Sequence, residues 1–276
     1  MTERTIPSAA LRLAVAQLAP TPGDIDANVV AAATAVRQAS ETGTDLVLFP
    51  ELFLPGYDLK TIEKDPAVTM TEDDPRMQPL VDVARDTSTA VVISAALRVG
   101  SARQLTAIVI DRSGRVTHYA KRHLWGDERR LFEPGDEVVM LSLDGWSLGL
   151  GICYEVVRPD FVRCLAAQGM HAFLAPSAFV EPAGLRDSRI FHAARARENA
   201  IYTVFADMPN SPGTAFTGAS AVFSPTGDVV EELGSSEIAM LHAMLDPNAP
   251  GRESTFLLEP FDPSLPLSHN LRERPL

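Results

Sequence analysis

Cysteine is scarce: Cys153 and Cys164 are the only two in 276 residues, too few for a disulfide framework and without the Cys-x-x-Cys pairs of a zinc or redox site. That usage fits a reducing compartment, and a cytoplasmic protein is expected. Positive charge is also in deficit. The 24 Lys and Arg face 36 Asp and Glu, a net of -12 at pH 7, which leaves no excess for a broad basic face toward nucleic acid or an anionic membrane. Long apolar runs are missing, none approaching the ~20 residues of a membrane span. The most apolar N-terminal stretch, Ala9 to Pro20, is broken by Arg12 and Gln17 and follows Glu3, which does not suit a signal peptide. There is no His-Glu-x-x-His run or paired Cys/His spacing for a metal. Gly149-x-Gly151 lacks the third glycine of a dinucleotide loop, and no Walker lysine follows a glycine-rich loop. Neither metal nor cofactor is expected, and a small-molecule partner is favoured.

What is present is an ordinary globular balance, 46% hydrophobic and 22% charged residues, enough for a substantial core. Short β-rich apolar runs alternate with helical spacing, the order of a layered α/β fold. Strands are expected at Leu11 to Gln17, Asp45 to Phe49, Ala90 to Leu97, Leu105 to Ile110, Val116 to Tyr119, Ser147 to Cys153, Ala172 to Leu174, Tyr202 to Ala206, Ser220 to Phe223 and Val229 to Leu233. Helical spacing with polar starts covers Ile25 to Ser40, Arg76 to Thr87, Asp160 to Gln168 and Asp187 to Asn199. Arg112-Ser113-Gly114-Arg115 and Pro225-Thr226-Gly227-Asp228 read as hairpin turns. Strand, helix, strand, helix, strand and hairpin are met once before about Ala120 and again after Leu148, which points to an internal two-fold. The strings Leu48-Phe49-Pro50-Glu51-Leu52-Phe53 and Leu174-Ala175-Pro176-Ser177-Ala178-Phe179 echo one another. From Pro247 onward six prolines among Ser, Arg and Glu make a tail without a core pattern.

Cys153 closes the apolar run Trp146 to Cys153, and strand ends are where α/β folds bind ligands and present nucleophiles. A free cysteine is equally at home as a small buried hydrophobe, so a nucleophile needs a base and a cation close by. Glu51 follows the apolar strand Leu46 to Phe49 and Pro50, which sets a carboxylate where core meets surface. Lys121 closes the second strand of a hairpin, and Glu128 lies seven residues further on. Taken singly, each of these charges reads as a solvated surface residue. Cys164, within Phe161 to Ala166, reads as helix core.

Jointly the strings Phe49-Pro50-Glu51, Lys121-x-His123-Leu124 with Glu128, Phe132 and Gly135 beyond it, and Gly151-Ile152-Cys153-Tyr154-Glu155 occur in the order and spacing of one family. Pro176-Ser177, Ala196-Arg197-Glu198-Asn199 and Gly218-Ala219-Ser220 support the match. The chain resembles the carbon-nitrogen hydrolases of the nitrilase superfamily, over about Leu11 to Asp246. The resemblance implies a four-layer αββα sandwich with an internal pseudo-two-fold in residues 1–246, followed by a C-terminal tail, 247–276. It also implies a triad of Glu51, Lys121 and Cys153 with Glu128 as a fourth site residue. The Tyr154 backbone N–H is an expected oxyanion donor, and Tyr57, Ser177 and Phe179 are expected at the substrate. The family commonly forms dimers or larger homo-oligomers, often by exchanging C-terminal tails.

The resemblance implies a thiol hydrolase that releases ammonia or an amine from a small amide and passes its acyl group to water through a thioester. N-carbamoyl amino acid hydrolysis and nitrile hydrolysis use the same four residues and stay open, as does a catalytically silent binding subunit. Three departures stand out. Arg158 replaces a frequent aromatic and could hold a substrate carboxylate, and Asp207 stands where Asn is common. Glu155 replaces a frequent Asp. A Cys-His hydrolase is disfavoured because the local signature of papain-like enzymes is absent around the cysteine, although six histidines are available. His123 is expected to orient or pack beside Lys121, and His192 to lie on a helix face.

Overall fold

The computed structural model describes residues 5–211, 213–251 and 270–276. Its strands are β1 (Leu11–Gln17), β2 (Leu46–Leu48), β3 (Met70–Thr71), β4 (Ala90–Val99), β5 (Ala102–Ile110), β6 (Val116–Ala120), β7 (Glu137–Leu143), β8 (Trp146–Leu150), β9 (Ala172–Pro176), β10 (Tyr202–Ala206), β11 (Ala221–Phe223), β12 (Val229–Glu232), β13 (Ala239–Leu245) and β14 (Asn270–Pro275). Its helices are α1 (Ile25–Ser40), α2 (Leu59–Lys64), α3 (Gln78–Thr87), α4 (Glu128–Leu131), α5 (Pro159–Ala167) and α6 (Gly184–Asn199).

The strands form two sheets with matching order. One runs β13-β1-β2-β4-β5-β6, with β3 on β4; the other runs β12-β11-β10-β9-β8-β7-β14. In each, two parallel pairings, β1-β2-β4 and β8-β9-β10, are followed by two antiparallel ones and preceded by an antiparallel neighbour, β13 or β7. The expected duplication is therefore present in six strands of each sheet, with β3 and β14 outside it, and the fold is an αββα sandwich. Central parallel strands covered on both faces must be apolar throughout, and every residue of β2 and β9 is buried. Helix α1 follows from its own pattern: Asp24 caps the Ala27 N–H at 2.9 Å, and Ile25, Val29, Ala32, Val36 and Ala39 bury one stripe.

Several expectations need correction. Strands β7 and β13 were not anticipated, although Leu241, Ala243 and Leu245 alternate inward along β13. The strand expected over Ser147 to Cys153 stops at Leu150, and Cys153 opens a 3-10 turn, Cys153–Val157. Helix α6 begins at Gly184, three residues before Asp187. The tail is not patternless: β14 pairs in parallel with β7, from Asn270 opposite Glu137 to Pro275 opposite Ser142. The remainder of that expectation, residues 252–269, lies outside the described residues. Cys164 is half-buried on α5 instead of sitting in the core. Among the described residues no helix is long and apolar enough to cross a membrane.

Candidate active site

The site gathers at the ends of β2, β6, β8 and β9. After β2 the chain turns through Phe49, whose N–H is held by Val92 O at 2.8 Å, to Glu51, whose N–H reaches Ser177 O at 3.1 Å. The exits of β2 and β9 are thus hydrogen-bonded to one another across the pseudo-axis. After β6, Lys121 is fixed at both backbone groups, its N–H to Leu105 O at 2.8 Å and its carbonyl to the Gly135 N–H at 3.0 Å. Gly135 has to be glycine, because a Cβ there would stand 2.4 Å from Ala120 O. The spacing from Lys121 to Gly135 is therefore a packing constraint as well as a motif.

Lys121 is fully buried, and its Nζ donates to Glu51 Oε1 at 2.6 Å and to both Glu128 oxygens at 2.9 and 3.0 Å. Glu128 also accepts from the Trp125 N–H and the Tyr57 hydroxyl, each at 2.8 Å. The second Glu51 oxygen, Oε2, is buried with no hydrogen-bond partner among the described residues, and Cys153 is one of the groups acting on this carboxyl. Burial raises the Glu51 pKa to about 8 despite the neighbouring Lys121 charge. Burial alone would lower Lys121, but the carboxylates of Glu51 and Glu128 overcome it and hold the ammonium charged. Burial, reinforced by Glu51, pushes the Cys153 thiol well above its ordinary range.

Cys153 sits at φ 44°, a left-handed value rarely adopted by a side-chain-bearing residue, at the start of the 3-10 turn. Such positions cost about 1–3 kcal/mol and persist where surrounding contacts over-determine them. Those contacts converge on Glu155. Its buried carboxylate accepts from the Ile152 N–H at 2.8 Å, the Arg122 N–H at 3.0 Å, the His123 N–H at 3.1 Å and the Tyr119 hydroxyl at 2.8 Å. One carboxylate therefore ties the segment carrying Lys121 to the turn carrying Cys153. Its central role was not anticipated, and the only signal was a Glu two residues past the cysteine.

A cavity of about 300 Å³ opens over Cys153, walled by aromatic and aliphatic side chains that include Tyr57, Trp125, Tyr154 and Phe179. Tyr57 and Phe179 line this cavity, and Tyr154 places its backbone at the first turn of the 3-10 helix, where N–H groups have no partner within the helix. Two expected residues do not line it. Ser177 is fully buried and its hydroxyl returns to Ala175 O at 3.0 Å, so it closes its own turn and does not line the cavity. Arg158 lines a separate groove with Arg122 and His123 and pairs with Asp160 at 3.0 Å. Asp207 is buried, accepts from the Met208 N–H and Thr217 hydroxyl at 2.8 Å, and has its pKa raised by burial.

The described histidines are engaged elsewhere. His123 Nδ1 lies 3.2 Å from Glu155, and His171 accepts from the Ser147 N–H at 2.8 Å. His192 lies on the buried face of α6, stacked on Phe205 at 4.5 Å, and burial lowers its pKa to about 3. His269 lies outside the described residues. Among the described residues no group of three or more His, Cys, Asp or Glu side chains is placed to hold a metal ion.

Residues 12–250 match the family model described as carbon-nitrogen hydrolase. The chain is 33% identical over 240 residues to a protein named nitrilase from Pyrococcus abyssi, covering 83% of this chain and 89% of that one. It superimposes on a cysteine variant of the Nesterenkonia AN1 amidase from the nitrilase superfamily with a TM-score of 0.78 at 33% identity, covering 88% of this chain and 92% of the other. A glutamate-to-glutamine variant of that amidase, TM-score 0.77 at 30% identity over 92% of this chain and 97% of the other, shows covalent addition of the acetamide moiety of fluoroacetamide at the active site cysteine. The chain belongs to the carbon-nitrogen hydrolase family of the nitrilase superfamily. It is an amidase-like enzyme acting on carbon-nitrogen bonds other than peptide bonds.

Proposed function

We propose that the chain hydrolyses a small amide through a thioester on Cys153, with Glu51, Lys121 and Glu128 completing the site. The observation that carries this reading is the unpartnered buried Oε2 of Glu51, an acceptor with its pKa near 8 set beside a thiol. Glu51 takes the thiol proton as the sulfur adds to the carbonyl carbon. The developing oxyanion is held by Lys121 Nζ and the Tyr154 N–H. The carbon-nitrogen bond then breaks, the proton on Glu51 passes to the departing nitrogen, and ammonia leaves a thioester behind. Glu51, ionised again, takes a proton from water, whose oxygen displaces the sulfur and yields the acid. Glu128 holds Lys121 in place and faces the cavity, where it positions substrate or this water. The covalent adduct seen at the cysteine of the Nesterenkonia amidase supports the same chemistry here.

The test is ammonia release from a panel of amides, N-carbamoyl amino acids and nitriles, with wild type beside Cys153→Ala. Release from amides by wild type alone is expected. Equal release by both proteins would remove Cys153 as nucleophile. Release from N-carbamoyl substrates or nitriles alone would replace the amide assignment.

A further inference from the structure

The cavity over Cys153 carries a charge pattern that the chemistry of the reacting atoms does not require. Among the described residues its walls include no Lys or Arg, and its charged side chains are Glu128 and Asp187. At the floor Glu128 is paired with the buried Lys121 ammonium at 2.9 Å. Asp187 is the other charged side chain that lines the cavity. It stands in the first turn of α6, with 34% of its side chain exposed, and its Oδ1 meets the Arg186 guanidinium at 3.0 Å. Arg186 is 72% exposed and does not line the cavity, so this pair is a surface contact of the kind worth about 0–1 kcal/mol. It leaves Asp187 able to exchange partners with a ligand.

Around that carboxylate the walls are aromatic. Tyr57, Trp125, Phe179 and Phe191 all line the cavity, and Trp125 is half exposed at 50%. Aromatic faces attract cations through the ring quadrupole and offer an anion nothing in return. One acid, several aromatic side chains and, among the described residues, no basic side chain make a lining that suits an ammonium group. We propose that this cavity selects amides whose far end is a cation, seated between Asp187 and the aromatic walls, and discriminates against amides ending in a carboxylate. The inference rests on the amide reading above and names the substrate class of that same site.

Three amides of matched length test it: 5-aminopentanamide, hexanamide and adipamate. The expected order of kcat/KM is cationic over neutral by about tenfold, the size of a partly desolvated charge or cation–π contact, with the anionic amide slowest. In Asp187→Asn the cationic-to-neutral ratio falls about tenfold, and in Asp187→Lys the order of the cationic and anionic amides reverses. Adipamate turned over as well as hexanamide, or a cationic-to-neutral ratio unmoved in both variants, would overturn the proposal. If wild type turns over none of the three, hexanamide included, the amide reading itself has failed. Calorimetric binding to Cys153→Ala then decides the cation claim alone: 5-aminopentanamide must bind more tightly than hexanamide and lose that margin when Asp187→Asn is added, and equal binding contradicts it.

Discussion

The two halves of the sandwich build the same backbone and give it different chemistry. The exits of β2 and β9 are equivalent in sheet order, each leaves a buried strand through a proline, and each is followed by a polar residue, Glu51 in one half and Ser177 in the other. A single hydrogen bond of 3.1 Å joins them. Yet Ser177 folds its hydroxyl back onto Ala175 O, while Glu51 meets Lys121 and keeps one oxygen free. The exits of β1 and β8 differ in the same way. Gln17 spends its amide on Gly234 O, Glu237 O and the Ser220 N–H, whereas Cys153 turns to φ 44° beneath a cavity. The symmetric scaffold fixes where strand exits converge, and the side chains at those exits decide which half does chemistry.

Paired substitutions at equivalent exits should break that comparison most sharply. Glu51→Gln removes the proton acceptor and is expected to lower kcat by at least about 10²- to 10³-fold, with Lys121→Ala similar, since one lost oxyanion donor costs that much. Steady-state ammonia release reads both, and an active Lys121→Ala enzyme would end its assigned role. Next comes Glu155→Gln. Three backbone N–H groups and the Tyr119 hydroxyl donate to it, so an amide nitrogen there faces other donors, and a loss of about 2–4 kcal/mol is expected in urea melts. A stability within error of wild type would show that Glu155 does not hold the two segments together. Tyr57→Phe deletes one 2.8 Å bond to Glu128 and should lower kcat/KM by about five- to tenfold. Ser177→Ala, the counterpart of Glu51→Gln, should cost about 0.5–1.5 kcal/mol of stability and change kcat/KM less than about threefold. A loss in Ser177→Ala as large as that in Glu51→Gln would erase the functional asymmetry.

Much of this was legible in the chain because it is local. Apolar runs such as Leu46 to Phe49 must be buried strands, Asp24 ahead of the Ile25 stripe must start a helix, and the duplicated order follows from the same runs. Glu51, Lys121, Glu128 and Cys153 were legible from their strings, and the structure gathers all four. What escaped depends on direction and on partners distant in sequence. A string that places Ser177 at a strand exit does not say that its hydroxyl turns back, and Arg158 beside a proline does not reveal Asp160 as its partner. Glu155 draws donors from residues 119, 122 and 123, over thirty positions earlier, which no local reading connects. The aromatic and acidic walls of the cavity come from α4, α6, the 3-10 turn and the segments before α2, α4 and α6, which are brought together only by the fold.

The central claim is that Glu51, with its pKa raised by burial to about 8, is the base for Cys153. Because ionised Glu51 is the active form, thiol reactivity must rise as pH rises toward that value and level off above it. The most direct measurement is the alkylation rate of Cys153 by iodoacetamide across pH 5 to 10, resolved from Cys164 by peptide mass spectrometry, in wild type and Glu51→Gln. The account predicts a rate that climbs about tenfold per pH unit below the Glu51 ionisation, plateaus near pH 8, and exceeds that of Cys164, with the step abolished in Glu51→Gln. An identical profile in the two proteins, or a Cys153 no faster than Cys164, would contradict it.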